Sequence, residues 1–455
     1  MLASSGSLFQ KDFTPAEFSA RRAKIFDAIG REACAILQGA GPVQRSEPFR
    51  QTNEFYYLCG VELPQAYLLL DGPSRKSTLF LQPRNERQER SEGGGISIAD
   101  AADLAALSGA DAVRPAVEME FALRGSLLLY TPHSPAEGPA GYRDELLPAQ
   151  KLIAADPWDA LPSREQRFIG KLRAHCHGVE IRDLTPVLDA LRLYKSPAEV
   201  AVMRRAGRLC AQALSEAARN TRPGVSEFQL AAAMHYIYRV NGALGESYRP
   251  IVASGENIWL PHYARNNSVL KEGDVLLFDC APDCAYYTSD IGRTWPVSGK
   301  FTPVQRELYG FITHYHKELL KRIRPGVLPS QILEETAAVM KSVIDATTFS
   351  KPAYAHAARE ALKYSGHLSH PVGMCVHDVG KYWDRPTQPG LAIAVDPQMW
   401  IPEERLYIRV EDTVVVTEDG IENLTELAPL ELNDLEALVG NQYRVDTSCD
   451  PLKRR

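Results

Sequence analysis

The sequence predicts an α/β (α+β) protein of two domains, a mixed α/β domain at the N-terminus and a second domain built from two related halves. The chain has 455 residues, which is more than one hydrophobic core usually supports. Helical and strand patterns alternate along roughly the first 185 residues. Beyond them, two Arg-Pro-Gly-Val segments recur about a hundred residues apart, each after a long helical pattern.

The N-terminal domain, residues 1–190, begins with regular patterns. Residues 15–29 have the apolar spacing of an amphipathic helix, and residues 33–37 form a short apolar run typical of a strand. Residues 66–70 and 77–82 flank the turn sequence DGPSRK, which predicts a pair of strands.

Two further segments of this domain have less regular patterns. Residues 86–95 are charged and then glycine-rich, which predicts an exposed loop. Residues 48–60, PFRQTNEFYYLCG, are rich in aromatic side chains. They either form a ligand-binding face or pack at strand spacing, and we favour packing.

The second domain, residues 191–455, is predicted to have a shell of helices. In KSPAE, Ser196 is placed as N-cap, Pro197 as the first helical residue and Glu199 as the reciprocal cap, which predicts a helix to about residue 220. Similar capping boxes predict two further helices, starting at Ser226 and Thr302. This linker and first helix place the domain boundary near residue 190.

Each half of the second domain contains a histidine-bearing segment followed by strands with acidic ends. The residues concerned are His262, Asp279 and Asp290 in the first half, and His370, Asp396 and Glu411 in the second. If a pseudo-two-fold axis relates the halves, the acidic strand ends meet in one cleft. The Arg-Pro-Gly-Val match by itself is also compatible with chance.

The segment 271–296, KEGDVLLFDCAPDCAYYTSDIGRTWP, predicts a β-hairpin with one carboxylate on each arm. Asp279 closes an apolar run that is typical of a buried strand, and Asp290 follows eleven positions later. A carboxylate at the end of a buried strand needs a cation or a dense set of hydrogen-bond donors. Taken alone, such an aspartate is more often a turn residue.

Further candidate ligands lie near the C-terminus. His370 and His377 flank an apolar run, Asp396 follows LAIAV, and Glu411 lies within LYIRVEDTVVV. Together with the hairpin they give four carboxylates and one or two imidazoles, which form a hard, oxygen-rich ligand set. Two divalent ions would balance about four negative charges and could share a bridging hydroxide, which is the chemistry of hydrolysis.

Composition excludes several other classes of protein. The chain is 45% hydrophobic and 24% charged, with a net charge of −6 and no long basic run, so we expect no nucleic acid partner. We found neither a signal-peptide pattern nor an apolar stretch of membrane-spanning length, which predicts a cytoplasmic protein without membrane contact. The eight cysteines mostly lie in apolar runs and are interpreted as reduced core residues. Cys280 and Cys284 could instead bind metal, although their spacing fits no zinc template well.

Residues 190–430 resemble the metal-dependent pita-bread peptidases of family M24, which include methionine aminopeptidase, prolidase and aminopeptidase P. The resemblance depends on the order of several motifs: KSPAEVAVMRRAG, TRPGVSEFQLAAAM, IVASGENIWLPHY, GDVLLFDCAPDCAYYTSDIGRTWPVSGKF, LSHPVGMCVHDVG and YIRVEDTVVVTEDG. Residues 48–70 are also similar to the N-terminal domain of aminopeptidase P. The resemblance implies a creatinase/aminopeptidase P-type N-terminal domain followed by a pita-bread catalytic domain.

The resemblance also implies roles for individual residues. Five of them match the family's metal ligands: Asp279, Asp290, His370, Asp396 and Glu411. His262 and His377 match histidines that the family places around the substrate, and Arg409 matches an arginine near the metal centre. Asp396 matches a position that is also proposed to shuttle the proton.

Two positions depart from the family pattern. The family usually has Glu-Pro-Gly where this chain has Asp396-Pro397-Gln398, and the aspartate side chain is shorter by about 1.5 Å. The family often has a histidine four residues before the metal-binding one, whereas this chain has Gly366 there and His367 one position later. The change at Asp396 affects the residue proposed to transfer the proton. The change at Gly366 and His367 affects contacts with the substrate.

The activity that the resemblance implies is hydrolysis of the bond between an N-terminal residue and a following proline. The expected cofactors are two divalent ions, manganese before cobalt or zinc. The alternatives are a prolidase that cleaves only Xaa-Pro dipeptides, and a non-catalytic peptide-binding protein on the same fold. The resemblance further implies a homo-oligomer, either a dimer or a tetramer.

Overall fold

The structure is a computed structural model that describes residues 9–43, 48–93, 95–138 and 141–441. The chain forms two compact units. The first comprises Met1–Tyr194 together with His377–Lys381, and the second comprises Lys195–Val376 together with Tyr382–Arg455. A short segment from the C-terminal part of the chain thus belongs to the first unit.

The first unit is built on a six-stranded mixed sheet with the strand order β4-β3-β2-β1-β5-β6. Its strands are β1 (Cys34–Gln38), β2 (Tyr67–Asp71), β3 (Lys76–Leu81), β4 (Ala112–Pro115), β5 (Leu128–Thr131) and β6 (Glu180–Asp183). β1, β2 and β3 pair antiparallel, and the remaining pairs are parallel. The predicted pair of strands around DGPSRK is therefore confirmed.

Among the described residues, eight α-helices accompany this sheet. They are α1 (Pro15–Ile29), α2 (Asn53–Cys59), α3 (Glu86–Glu92), α4 (Ala101–Ser108), α5 (Met119–Ala122), α6 (Arg143–Ala155), α7 (Arg164–His175) and α8 (Thr185–Leu193). The predicted helix α1 is confirmed, and the hydroxyl of its N-cap Thr14 accepts a hydrogen bond from the backbone N–H of Glu17. Phe168 and Leu172 of α7 pack in a buried cluster with Ile36 and Leu129 of the sheet.

Two secondary-structure predictions for the first unit are wrong, whereas the favoured packing of the tyrosines in residues 48–60 is confirmed, since Tyr56 and Tyr57 are buried. Residues 48–60 do not form a strand, because α2 lies within them and all seven of its residues are buried. A helix buried on every side has no polar face, so its sequence lacks the helical period. Residues 86–95 are not a loop throughout, because α3 occupies Glu86–Glu92. Its Glu, Arg and Gln residues have high helix propensity, which outweighs the charge and the following glycines that favour a loop.

In the part of the second unit that the structure describes there are six α-helices, α9 (Pro197–Asn220), α10 (Glu227–Val240), α11 (Pro303–Arg322), α12 (Pro329–Ala346), α13 (Pro352–Ala361) and α14 (Leu432–Leu438). The three predicted capping boxes are present, at Ser196, Ser226 and Thr302. In each box the N-cap side chain and the third helical side chain satisfy each other's backbone N–H groups, so the sequence marks the helix starts. No helix in the described residues of either unit is long and apolar enough to cross a membrane.

The strands of this unit form small antiparallel sheets. They are β7 (Gly245–Glu246), β8 (Ile251–Ser254), β9 (Val275–Cys280), β10 (Pro282–Asp283), β11 (Ile291–Pro296), β12 (Ala392–Val395), β13 (Gln398–Ile401), β14 (Leu406–Arg409), β15 (Asp412–Val416) and β16 (Ile421–Asn423). One three-stranded sheet has the order β11-β9-β8, another has β12-β15-β16, and two-stranded pairs join β10 to β7 and β13 to β14.

The two halves of the second unit repeat one arrangement. In the first half a helix pair, α9 and α10, precedes the sheet β11-β9-β8, and in the second half α11 and α12 precede the sheet β12-β15-β16. A backbone bridge between Gly292 and Glu411 joins the halves, with N···O distances of 3.3 and 2.9 Å. This bridge brings the acidic strand ends of both halves to one place.

Candidate metal centre

The predicted hairpin positions the first two carboxylates. β9 and β11 pair antiparallel, and Asp279 lies opposite Gly292. Asp290 immediately precedes β11, and its backbone is held by Thr413. The Asp290 N–H donates to the Thr413 hydroxyl at 2.6 Å, and that hydroxyl donates to the Asp290 carbonyl at 2.9 Å. Both carboxylates are buried, as the apolar strand sequence predicts.

The second half positions three further residues. His370 precedes a bridge between Pro371 and Ile393, and its carbonyl accepts a hydrogen bond from Ala394 N–H at 3.0 Å. Asp396 directly follows β12, and Glu411 lies between β14 and β15. Pairing with β12 therefore holds His370 next to the strand that Asp396 directly follows.

Three of the five predicted metal ligands come together most closely. Asp290, His370 and Glu411 each offer a donor atom, and these three atoms lie within 4.8 Å of one another. His370 Nε2 is 3.5 Å from Asp290 Oδ2 and 3.9 Å from Glu411 Oε1. A single cation could contact all three side chains.

Asp279 adjoins this group through two side chains. The Tyr248 hydroxyl contacts both aspartates, and lies 2.6 Å from Asp290 Oδ1. Arg409 contacts the carboxylate of Asp279, and its Nε is 3.4 Å from Glu411 Oε2. Arg409 was named from the sequence, whereas Tyr248 was missed, because a tyrosine shortly before a strand carries no distinguishing pattern.

Asp396 lies beside the same group and has its own donor. Gln398 Nε2 donates a hydrogen bond to Asp396 Oδ2 at 3.0 Å. Burial raises the pKa of Asp396, and the charge of His370 opposes that shift. Gln398, which departs from the family's glycine, thus contacts the carboxylate of the other departing residue.

The structure places the two remaining histidines differently. His262 lies in an exposed turn after the 3-10 helix Gly255–Trp259. His377 belongs to the segment that joins the first unit, and its Nδ1 is 2.6 Å from Asp144 Oδ2. Neither belongs to the group of three ligand atoms.

The electrostatics of the group favour a bound cation. Burial, followed by the charge of Asp290, raises the pKa of Glu411 well above its usual range, against the opposing charge of Arg409. Burial alone would lower the pKa of His370, but its hydrogen bond to Asp290 and the charge of Glu411 raise it to about 9. Carboxylates this close repel one another, and positive charge among them relieves the repulsion.

One buried oxygen of the group makes no hydrogen bond to any described residue, although Arg409 Nε lies 3.4 Å from it. Glu411 Oε2 has no hydrogen-bond partner among the described residues, although the residue is 1% exposed. A buried carboxylate oxygen without a partner is costly. A divalent cation would satisfy it, and carboxylates with one imidazole suit such an ion, so the residues fit the metal that the resemblance implies.

Comparisons with known proteins identify the family of the chain. Residues 201–418 match the model for metallopeptidase family M24, and residues 18–129 match that for the aminopeptidase P N-terminal domain. The chain is 31% identical over 446 residues to the Xaa-Pro aminopeptidase of Escherichia coli (strain K12), covering 93% of this chain and 97% of that protein.

Solved structures agree as well. Aminopeptidase P from E. coli with the inhibitor Pro-Leu superposes with a TM-score of 0.76 at 29% identity, covering 94% of this chain and 98% of that one. Zinc-substituted E. coli aminopeptidase P in complex with product gives a TM-score of 0.75 at 29% identity, with the same coverage. The predicted fold class is confirmed. The chain belongs to metallopeptidase family M24, whose members bind divalent metal, and it carries the N-terminal domain of aminopeptidase P.

Proposed function

We propose that this chain is a metal-dependent aminopeptidase that hydrolyses the bond between an N-terminal residue and a following proline. The observation that carries the proposal is the convergence of Asp290, His370 and Glu411, with Asp279 and Asp396 beside them. Its support is similarity over nearly the full length to Xaa-Pro aminopeptidase. The substrate is accordingly a peptide with proline in second position.

Five residues would hold the metal: Asp279, Asp290, His370, Asp396 and Glu411. We propose two ions per chain, because four carboxylates outnumber the cationic side chains that touch them. Manganese is favoured over cobalt or zinc, since oxygen donors dominate the set. When bound, the ions polarise the scissile carbonyl and acidify the attacking water.

The protein side chains complete the reaction by positioning groups and moving protons. Tyr248 and Arg409 fix the carboxylates of Asp279 and Glu411. We propose that Asp396 or Glu411 takes the proton of the attacking water and delivers it to the leaving nitrogen. His262 and His377 are proposed to donate hydrogen bonds to the substrate around the developing oxyanion.

Proline in second position changes what the site must recognise. The scissile nitrogen of an Xaa-Pro bond belongs to a tertiary amide and has no N–H. A site that accepts the ring without requiring that donor would select Xaa-Pro peptides. A site with a hydrogen-bond acceptor for the scissile N–H would instead select peptides without proline in second position. The preference between Xaa-Pro and other peptides therefore tests whether such an acceptor is present.

The experiment compares three substrates with metal-depleted and manganese-loaded protein. We expect release of the first residue from an Xaa-Pro-Xaa tripeptide only after metal loading, with little release from the matched Xaa-Ala-Xaa peptide. Elemental analysis should give two ions per chain, and Asp290→Asn should lower both metal content and activity. Cleavage of an Xaa-Pro dipeptide alone would identify a prolidase, and no cleavage of any peptide would support a binding protein.

The other features inferred from the sequence stay predictions. These are a homo-oligomer, a cytoplasmic location, and the lack of nucleic acid and membrane partners. Sedimentation of the purified protein measures the first directly, with a dimer or tetramer as the expected result.

A further inference from the structure

The segment His377–Lys381 is part of the first unit, although it follows the proposed metal ligand His370 by only seven positions. Its first residue, His377, is a proposed substrate contact. The residues of the first unit that touch this segment are therefore in a position to control the orientation of that imidazole.

The start of helix α6 contacts the imidazole on two sides. The carboxylate oxygen Oδ2 of Asp144 is 2.6 Å from His377 Nδ1. The ring of Tyr142, the N-cap residue of α6, lies with its centroid 4.8 Å from that of His377 and tilted by 40°. A carboxylate on Nδ1 favours the proton on that nitrogen, which fixes the tautomer and the ring orientation.

A buried ion pair fixes the next residue of the segment. Arg192 Nη2 is 2.5 Å from Asp378 Oδ1, and both side chains are 1% exposed. Arg192 Nη1 is also 2.6 Å from Glu137 Oε2, whose side chain is fully buried. Breaking a buried pair leaves an uncompensated charge, so Asp378 is held firmly in place.

The same ionic cluster holds helix α6. Arg143, the first residue of α6, contacts Asp189 at 2.6 Å and Glu54 at 3.2 Å. Glu54 in turn lies 3.7 Å from Arg192. None of the thirteen residues of α6 is buried, so packing fixes this helix weakly and the charged contacts at its start matter more.

The contact between Asp144 and His377 is too exposed to have a large role in stability. The side chain of Asp144 is 57% exposed and that of His377 is 28% exposed, and ion pairs in such positions stabilise proteins little. An orienting role needs no such stability, because misplacing a group that contacts the substrate slows the reaction strongly.

We propose that Asp144 and Tyr142 are positioning residues that hold the imidazole of His377, a proposed substrate contact, in one orientation and one tautomer. This inference rests on the proposed Xaa-Pro aminopeptidase function. The ion pair of Arg192 with Asp378 holds the segment, and the start of α6 orients the ring.

The kinetic test uses full-length, manganese-loaded protein and an Xaa-Pro-Xaa peptide. Asp144→Asn is expected to lower kcat by about tenfold or more with a smaller change in KM, and Asp144→Glu should recover part of the loss. Lys151→Gln, an exposed change on the same helix, is the matched control and should leave kcat unchanged. In a His377→Ala background, Asp144→Asn should cause no further loss, because Asp144 acts through that histidine.

Two results would overturn the inference: a kcat for Asp144→Asn within about twofold of wild type, or losses that multiply in the double variant. A second measurement keeps it separate from the proposed function. Nitrogen-15 NMR of the His377 imidazole should give a protonated Nδ1 in wild type and a mixture of tautomers in Asp144→Asn. If wild type cleaves no Xaa-Pro peptide, the proposed function fails, and identical tautomers in the two proteins then reject the orienting contact as well.

Discussion

Asp396 and Gln398 together replace the glutamate and glycine that the family usually has. The shorter carboxylate of Asp396 accepts a hydrogen bond from Gln398, a donor that glycine cannot supply. This bond orients the carboxylate, and side chains that orient metal ligands commonly change metal affinity by 10- to 100-fold. The aspartate at position 396 and the glutamine at position 398 are therefore best understood as one paired change.

Replacing Gln398 tests this pairing. Gln398→Ala removes the hydrogen-bond donor. Alanine is used instead of glycine because glycine would also make the backbone of β13 more flexible. We expect metal affinity to fall by about tenfold, measured by calorimetric titration of metal-depleted protein. Gln388→Ala, at an exposed position, is the control, and an equal affinity in both variants would remove any role for Gln398.

Tyr248 gives a second prediction at the scale of single residues. Its hydroxyl contacts the carboxylates of Asp279 and Asp290, and Tyr248→Phe removes only that oxygen. We expect metal affinity or kcat to fall by about 10-fold, while the melting temperature of the metal-free protein stays near that of wild type. A large loss of metal-free stability would instead assign the hydroxyl a structural role.

The sequence could predict the candidate carboxylates and Arg409, but not the hydrogen bonds that Tyr248 and Gln398 make to the carboxylates. Asp290 and Glu411 follow or interrupt apolar strands, where a charged residue is conspicuous. Tyr248 and Gln398 are ordinary residues for the ends of strands, so their contacts become visible only when the strands are paired. Residues of this kind depend on tertiary structure, which local patterns do not encode.

At the scale of elements, helix starts were more predictable than buried helices. The capping boxes at Ser196 and Thr302 rely on contacts within four residues, so the sequence contains them entirely. Helix α2 instead depends on burial of all its side chains. That environment is made by the rest of the first unit, and no local pattern reveals it.

Two glycines within helices differ in the space around them, so the same substitution should change stability in opposite directions. In α9, a Cβ added at Gly207 would lie 2.2 Å from the carbonyl oxygen of Leu424, whereas one added at Gly310 in α11 meets nothing within 4 Å. Gly207→Ala should therefore destabilise the protein by about 1–3 kcal/mol or more, because the backbone must move. Gly310→Ala should stabilise it by about 0.5–1 kcal/mol. Denaturant unfolding measures both, and a harmless Gly207→Ala would contradict the close packing of α9.

At the scale of the whole molecule, the sequence predicted two domains and the repeat within the second. It did not predict that His377–Lys381 would belong to the first unit. Nothing in the sequence relates Asp378 to Arg192, 186 positions earlier. Long-range ion pairs of this kind depend on the folded arrangement of both segments. The length of the chain and its repeated motifs can instead be read directly from the sequence.

The ionic cluster of the first unit makes stability depend on pH. Burial, followed by the charge of Glu137, raises the pKa of Glu54 from 4.5 to about 7, although Arg192 opposes the shift. The folded state therefore holds a proton that the unfolded state has lost between about pH 4.5 and 7. The free energy of unfolding should consequently fall as pH rises through this interval.

Glu54→Gln isolates this contribution. The amide cannot ionise, so the variant should lose the fall in stability of about 2–3 kcal/mol that Glu54 causes between pH 5 and 8. Denaturant unfolding of wild type and variant at several pH values measures the difference. Glu86→Gln, an exposed glutamate on α3, should keep the pH dependence of wild type. Parallel curves for wild type and Glu54→Gln would mean that Glu54 stays ionised in the cluster, with Arg143 and Arg192 neutralising its charge.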